Sequence, residues 1–462
     1  YSDSLPYDRF IFVKFRNGNI NLIKIGELYD KYRNISGIST LALDKNRKVT
    51  FKTIKRVIRH TYKGDLLKIT TKYGSTVVTP QHSIYSFDYK INDIFLVDAK
   101  ELRKGDKLIS LTNPIFTEAY EKGHIFDIAE LNMGDYSKEL LLYSDNLFFP
   151  HEKGECPYCK RILFLSSHVF LKHPERRQPL AKKSLFSWVG GINAKTRKIP
   201  RYWTLDEDLA WLLGFYCAEG SVSDVSTKSG RKCLLSFGSQ DKSIIEKVKS
   251  ILDTKTGTST AIIENFDKRI NKKMFYYRVQ CMPIVTLFQY GFGCGKSSEF
   301  KKVPWFIFTA DNKLRTAFIK GYLDGDGNLK KDKRYKTHFV RFSTKSKELA
   351  IGMNFLLKSL KHLNNFRGNE IKHVAWQYRN DKPKIQTLRL QSAKESMGNF
   401  CLAEIRSIDE MKNEKYVYDI EVDEVHNFID AEGMILVHNT DSVFLTLDGK
   451  SENEARIFAE SI

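Results

Sequence analysis

No stretch of the sequence approaches the roughly 20 apolar residues that a transmembrane helix requires, and no lipidation motif is present. A membrane partner is therefore not expected. Cysteine is scarce, with seven in 462 residues, and only Cys156 and Cys159 fall close together. That excludes a disulfide framework and points to a reducing compartment, cytoplasm or nucleus. An initiating Met is missing, and the opening YSDSLPYDRF has neither the basic nor the apolar region of a signal peptide. The chain reads as a piece of something longer. Acidic charge is also short: 55 Asp and Glu face 75 Lys and Arg, for a net charge of +20. Such an excess favours a polyanionic partner, because neutralised phosphates release their counterions. With no membrane signal, nucleic acid is the expected partner.

What is present is globular. Hydrophobic residues make up 42% and aromatics 13% of the chain, above the range of disordered sequences, and the length suits two to four domains. Residues 9–112 consist of short alternating stretches such as FIFVKF, NINLIKI and STVVT, broken by turn signals RNG, KGD and KYG. An all-β pattern returns at the far end in KYVYDIEVDEVHNFIDAEGMILVHN. Two β-rich ends around a different middle imply one domain interrupted by another. In the middle, LDEDLAWLLGFYCA sets Leu209, Leu212, Leu213 and Tyr216 at helical spacing, with Thr204 and Glu207 as a capping box. LRTAFIKGYLDGD repeats the pattern further on, and each helix is followed by strand-like segments and another helix. A helix-strand-strand-helix unit repeated twice is the simplest arrangement.

The two ends carry complementary chemistry. Ser4 offers a hydroxyl beside the carbonyl of Asp3. Asn439 can attack its own backbone carbonyl with its side-chain amide, and Thr440 offers a second hydroxyl immediately after it. His82 and His438 are candidate acid/base groups, because imidazole titrates near neutrality. This set resembles the intein family. Ser4-Leu5-Pro6-Tyr7-Asp8 is similar to its opening block, TVVTPQHSI supplies Thr79 and His82, and VYDIEVDEVHNFI supplies Asp419 and His426. VHNT closes the series with His438, Asn439 and Thr440. The resemblance implies an all-β Hint (hedgehog/intein) horseshoe and a self-catalysed acyl transfer. In it Ser4 attacks the Asp3 carbonyl with help from Thr79 and His82. Thr440 then accepts the acyl group, aided by Asp419. Asn439 finally cyclises under the influence of His426 and His438. Both nucleophiles are hydroxyls, weaker than thiolates, so the neighbouring bases carry more of the work. No cofactor is implied for this chemistry.

Removing 4–439 joins Tyr1-Ser2-Asp3 to Thr440-Asp441-Ser442, giving YSDTDSVFLTLDG. That looks like the YxDTDS turn of family B DNA polymerases, whose paired aspartates, here Asp3 and Asp441, would bind Mg²⁺ in the joined product.

LLGFYCAEG at 212–220 and IKGYLDGDG at 319–327 share an internal glycine and an acid-glycine ending. Gly214 and Gly321 permit close helix approach, Gly220 and Gly327 fit helix stops, and Glu219 and Asp326 would meet at two helix C-termini, where they favour a divalent cation. The pair is similar to the twin motifs of LAGLIDADG homing endonucleases, with Cys217 where an acid is usual. The resemblance implies an α/β pseudo-twofold unit that cuts double-stranded DNA with Mg²⁺. Lys301 in FKKVPWFIF matches its charge-stabilising lysine of the first repeat, and Lys394 in LQSAKES is assigned that part in the second. Finally, ECPYCKRILFLSSHVFLKHPERR presents Cys156, Cys159, His168 and His173 as C-x2-C-x8-H-x4-H, a set suited to tetrahedral Zn²⁺ although its middle is short for a zinc finger.

The expected organisation is a multidomain chain. It comprises a flank at 1–3, a splicing domain at 4–112 and 402–439, an insert with a zinc knuckle at 113–200, an endonuclease at 201–401, and a second flank at 440–462. A monomer is expected, with the flanking segments as partners in cis. Competing readings are an intein whose nuclease is degenerate, a zinc-dependent DNA-binding protein and a hedgehog-like autoprocessing domain. The last would need neither Asn439-Thr440 nor a resuming polymerase sequence.

Overall fold

The computed structural model describes residues 3–32, 36–71, 73–111, 120–134, 136, 140–143, 165–166, 188–191, 197–227, 230–268, 271–332, 337–360, 364–368, 372–378, 399–413 and 415–439. Among these, no helix is long and apolar enough to cross a membrane.

Strand Phe10–Lys14 explains the architecture of the β-rich part. Its residues alternate between two cores: Phe10 and Phe12 face one, Ile11 and Val13 the other. The same division holds at Ile109 against Leu108, Ile429 against Phe428, and Leu436 against Ile435 and Val437. These strands are therefore buried on both faces, which is why they read as near-continuous apolar runs. Fully burying a side chain such as Phe12 contributes roughly 1.5–3 kcal/mol.

The strands of 5–111 and 400–438 form one antiparallel 14-stranded sheet, so the two ends of the chain build a single unit. Leu5–Pro6 pairs with Tyr416–Val422, which continues onto Val49–Thr61. Asn427–Asp430 and Ile435–His438 form a hairpin whose second strand also meets Ser83–Asp88 and Lys107–Leu111. Phe400–Met411 returns the chain to this sheet beside Lys107–Leu111 and Leu66–Thr71.

The middle has the expected internal symmetry. Helix Glu207–Glu219 precedes a sheet in the order 220–227, 230–239, 272–280, 263–267, with helix Lys242–Thr256 between its pairs of strands. Helix Asn312–Asp326 precedes a sheet in the matching order 328–332, 337–344, 372–378, 364–368, with helix Lys347–Ser359 in the equivalent place. The leading helices cross at their internal glycines. A Cβ on Gly214 would lie 1.9 Å from the Phe318 carbonyl oxygen, and one on Gly321 would lie 1.9 Å from that of Trp211. Glycine is required at both places by backbone contact.

One local expectation is corrected, and the two expected glycine stops form with extended backbone. The first helix is capped by Asp206, whose side chain accepts from Leu209 N–H at 2.8 Å, so the Thr204–Glu207 box does not form. Asp311 caps the second helix in the same way, accepting from Leu314 N–H at 2.9 Å. Gly220 and Gly327 end their helices with extended backbone, φ −78° and −72°, rather than in the left-handed region. Glycine is needed there because a Cβ would meet Tyr216 Cδ2 at 2.3 Å or the Leu323 oxygen at 2.2 Å.

A buried ionic cluster ties the units together. Arg9, 2% exposed, donates to Glu432 at 2.5 Å, Asp430 at 2.6 Å and the Ser75 carbonyl at 2.7 Å. Thr76 Oγ1 also donates to Asp430. Lys347, at the start of the last middle helix, pairs with Glu432 and with Asp8. Phe12 meets Phe355 of that helix, with ring centroids 4.4 Å apart. The segment after Ser4 and the turn before Asn439 are thus clamped by one charge network.

Candidate splicing centre and paired-carboxylate site

Register places the terminal residues together. Leu5 opposes Tyr418, so the same register carried one residue further sets Ser4 opposite Asp419. Val437 opposes Ile84, which brings His438 beside Ser83 and the preceding His82. Asn439 N–H donates to the His426 carbonyl at 3.2 Å across the mouth of the C-terminal hairpin.

At the first junction, Thr79 brackets Ser4. The Ser4 amide donates to Thr79 Oγ1 at 3.2 Å, and Thr79 N–H donates back to the Ser4 carbonyl at 3.0 Å. His82 N–H donates to the Thr79 carbonyl at 3.0 Å, closing the turn. The amide held by Thr79 is the one between Asp3 and Ser4. Ser4, Thr79, His82, Asp419 and Asn439 are all buried. Ser4 Oγ, both ring nitrogens of His82 and both amide atoms of Asn439 have no hydrogen-bond partner. Native proteins rarely leave such atoms unsatisfied, because each costs about 1–3 kcal/mol. Five such atoms fall on Ser4, His82 and Asn439, where the two ends of the β-rich unit meet, which makes this place the candidate reactive centre.

Burial pushes the His82 imidazole down to about 4, against the opposing pull of the Asp3 carboxylate. His82 is therefore neutral at pH 7, and any proton it delivers must first be taken from elsewhere. Burial pushes the Asp3 carboxyl up, but the contact with His438, the charge of His82 and the Ser83 N–H outweigh this and hold it below its ordinary value. Asp3 Oδ1 accepts from Ser83 N–H at 2.8 Å, and its Oδ2 lies 3.5 Å from His438 Nδ1. Asp419 Oδ1 accepts from Ile420 N–H at 2.7 Å. His426 is exposed, and its ring centroid is 6.4 Å from that of His438. Thr440 and Asp441 lie outside the described residues.

The second site lies at the ends of the crossing helices. Glu219 and Asp326 both reach solvent, each preceding the glycine that stops its helix. A Cβ on Gly325 would lie 3.0 Å from Glu219 Cγ, so the two helix ends are in contact. Desolvation raises Glu219, and desolvation followed by the charge of Glu219 pushes Asp326 up to about 6. Two carboxyls that resist ionising together fit a divalent cation, which relieves their repulsion. Among the described residues no group of three or more His, Cys, Asp or Glu could hold a metal ion. Cys156, Cys159, His168, His173 and Lys394 lie outside those residues.

Lys301 is corrected in its role. It is 2% exposed, and its Nζ donates to the Tyr216 carbonyl at 2.9 Å while lying 3.0 Å from the Tyr216 ring centre. Burial pushes the amine down to about 8. It caps the C-terminal end of the first crossing helix from inside. Cys217 donates to the Lys302 carbonyl at 3.4 Å in the same interior. Sequence reasoning also missed Arg9, Asp430 and Glu432; the one signal available was an arginine leading the apolar run Phe10–Val13.

Comparison with known proteins gives the family. The profile of the intein splicing domain matches residues 13–439. The DNA-directed RNA polymerase subunit Rpo1C of Methanocaldococcus jannaschii is 28% identical over 377 residues, 77% of this chain and 35% of that protein. The DNA polymerase of Thermococcus aggregans is 22% identical over 550 residues, 92% of this chain and 29% of that protein. The chain spans about a third of the length of these relatives. Among solved structures, I-DmoI in complex with DNA and Mn aligns at 16% identity and a TM-score of 0.28, covering 37% of this chain and 89% of that one. With the profile matched from the second strand to the buried Asn439, and both junctions assembled in one sheet, the chain belongs to the intein splicing domain family.

Proposed function

We propose that the chain excises residues 4–439 and joins its flanks through acyl transfers at Ser4, Thr440 and Asn439. The observation that carries this is the Ser4 amide held on Thr79 Oγ1, with the Ser4 hydroxyl and the Asn439 amide buried and unpartnered in the same sheet. His82, neutral, accepts the Ser4 hydroxyl proton as Ser4 Oγ bonds to the Asp3 carbonyl carbon. The same imidazole returns that proton to the Ser4 nitrogen as the C–N bond breaks, leaving an ester and a free amine. Thr440 Oγ then attacks this ester, Ser4 Oγ leaves with the proton, and Asp419 serves as the base on the shared sheet. Asn439 Nδ2 attacks its own carbonyl carbon, the bond to Thr440 breaks, and His438 and His426 manage the protons. The Thr440 amine finally displaces its own ester oxygen to form a peptide bond.

The joined product carries the YSDTDS sequence, and a family B DNA polymerase is the proposed host. We further propose that residues 201–401 cut double-stranded DNA at the insert-free host gene. A divalent cation such as Mg²⁺ held by Glu219 and Asp326 would supply Lewis-acid activation of water and of the leaving oxygen. The helix crossing at Gly214 and Gly321 sets the acids side by side, one for each strand. A zinc knuckle at 113–200, a monomeric state and a reducing compartment complete the proposal.

Hydroxylamine tests the first ester. An Asn439→Ala precursor is expected to release its N-terminal flank in hydroxylamine, and Ser4→Ala in the same background to resist it. Equal release from both would remove Ser4 from the mechanism.

A further inference from the structure

In the splicing reading Asp3 supplies only the carbonyl that Ser4 attacks. Its side chain occupies an unusual position. The carboxylate is 7% exposed, accepts from Ser83 N–H at 2.8 Å and lies 3.5 Å from His438 Nδ1. Ser83 follows the imidazole of the first junction, and His438 precedes the asparagine of the second. One carboxylate therefore touches both junctions, and it belongs to the segment that is to be transferred.

We propose that Asp3 is a positioning residue that orders the steps: its carboxylate holds the His438 ring while its carbonyl is bonded to Ser4, and acyl transfer to Thr440 ends that hold. The inference rests on the splicing reading above. Forming the first ester moves the Asp3 carbonyl carbon only from the nitrogen to the hydroxyl of the same residue, so both carboxylate contacts can persist. Transfer carries that carbon to residue 440, beyond Asn439. The two contact points are fixed on neighbouring strands, Ser83–Asp88 and Ile435–His438. Moving the carbon that bears this side chain, while both contact points stay fixed, is what ends the hold in this proposal. His438 Nδ1 then turns from Asp3 to the Asn439 carbonyl, whose bond it helps to break.

The order matters chemically. If Asn439 cyclises before transfer, the bond to Thr440 breaks while the acyl group is still at Ser4, and the flanks are never joined. A contact that exists only before transfer suppresses this loss without any further component.

The test uses the full chain between two folded tags, carrying Ser4→Ala so that no transfer can occur. Every C-terminal fragment then reports uncoupled Asn439 cyclisation. Adding Asp3→Ala is expected to raise its rate roughly five-fold or more, the scale of one lost charge contact. Asp3→Asn, which retains an acceptor for Ser83 but not the charge facing His438, should give a smaller rise in the same direction and guards against misfolding of the Ala variant. An unchanged or slower rate in both variants would overturn the proposal. Cleavage that persists in Ser4→Ala with Asn439→Ala would instead refute the splicing reading, so the two failures are distinct.

Discussion

His82→Ala lowers formation of the Ser4 ester by about 10²–10⁴-fold, the usual contribution of a positioned acid/base group. The imidazole is fully buried, neither nitrogen has a partner, and Thr79 holds the scissile amide one turn away. A neutral imidazole beside this amide can both take the Ser4 proton and return it to the nitrogen. With His82 pushed down to about 4 by burial, the base is available across the neutral range. Ester formation should therefore be flat from about pH 8 to 6 and fall only near pH 4; a fall centred on pH 6.5 would show an unshifted imidazole. The same displacement affects stability. Below pH 6.5 the unfolded chain takes up a proton that the native state refuses until about pH 4. Stability is thus lost as pH falls through this window, by about 3 kcal/mol in total. His82→Gln should abolish that part of the acid sensitivity, as read by denaturant midpoints at pH 7 and 4.5.

Asp326→Asn is expected to reduce double-strand cleavage by at least about 10²–10³-fold and, at the same time, to stabilise the fold. Desolvation and the charge of Glu219 raise Asp326 to about 6 from 3.8. The unfolded chain therefore releases this proton first, and stability falls as pH rises from 3.8 through about 6. Unscreened, the shift corresponds to about 3 kcal/mol; because the carboxyl reaches solvent, about 1 kcal/mol is the expected effect. In metal-free buffer at pH 7.5 the variant should melt about 2–4 °C higher than the native chain, and at pH 4 no differently. Cleavage by the native chain should rise from pH 5 to 7 at low Mg²⁺, because proton and cation compete for the pair. Higher Mg²⁺ should shift that rise to lower pH. A variant that cuts normally, or melts lower at pH 7.5, contradicts the assignment.

The candidate residues at the two ends could be grouped from the sequence because they stand in short runs. Thr79 and His82 share one turn, and His438, Asn439 and Thr440 are consecutive, so local sequence alone groups them. The crossing helices were legible for a related reason: a glycine that admits backbone contact and an acid at the helix end recur at fixed spacing. What lay hidden depends on partners distant in the chain. Arg9 bonds Asp430 and Glu432, which are 421 and 423 residues away, and no local pattern announces such a pairing. Asp3 was legible as a polymerase-like acid but not as the neighbour of His438, since that contact exists only when two strands meet. Lys301 was misread because motif spacing locates a residue along the chain and says nothing about where its amine points. Thr204 lost its capping role to Asp206 because cap choice depends on which residue adopts the extended backbone at the helix start.

The central claim is that both junctions react. The full chain expressed between two folded tags, with Asn439→Ala alongside, can be weighed by intact-mass spectrometry. The account predicts a free fragment with the mass of residues 4–439 and a product joining the two tags, both absent from the variant. An intact precursor in both samples would contradict it.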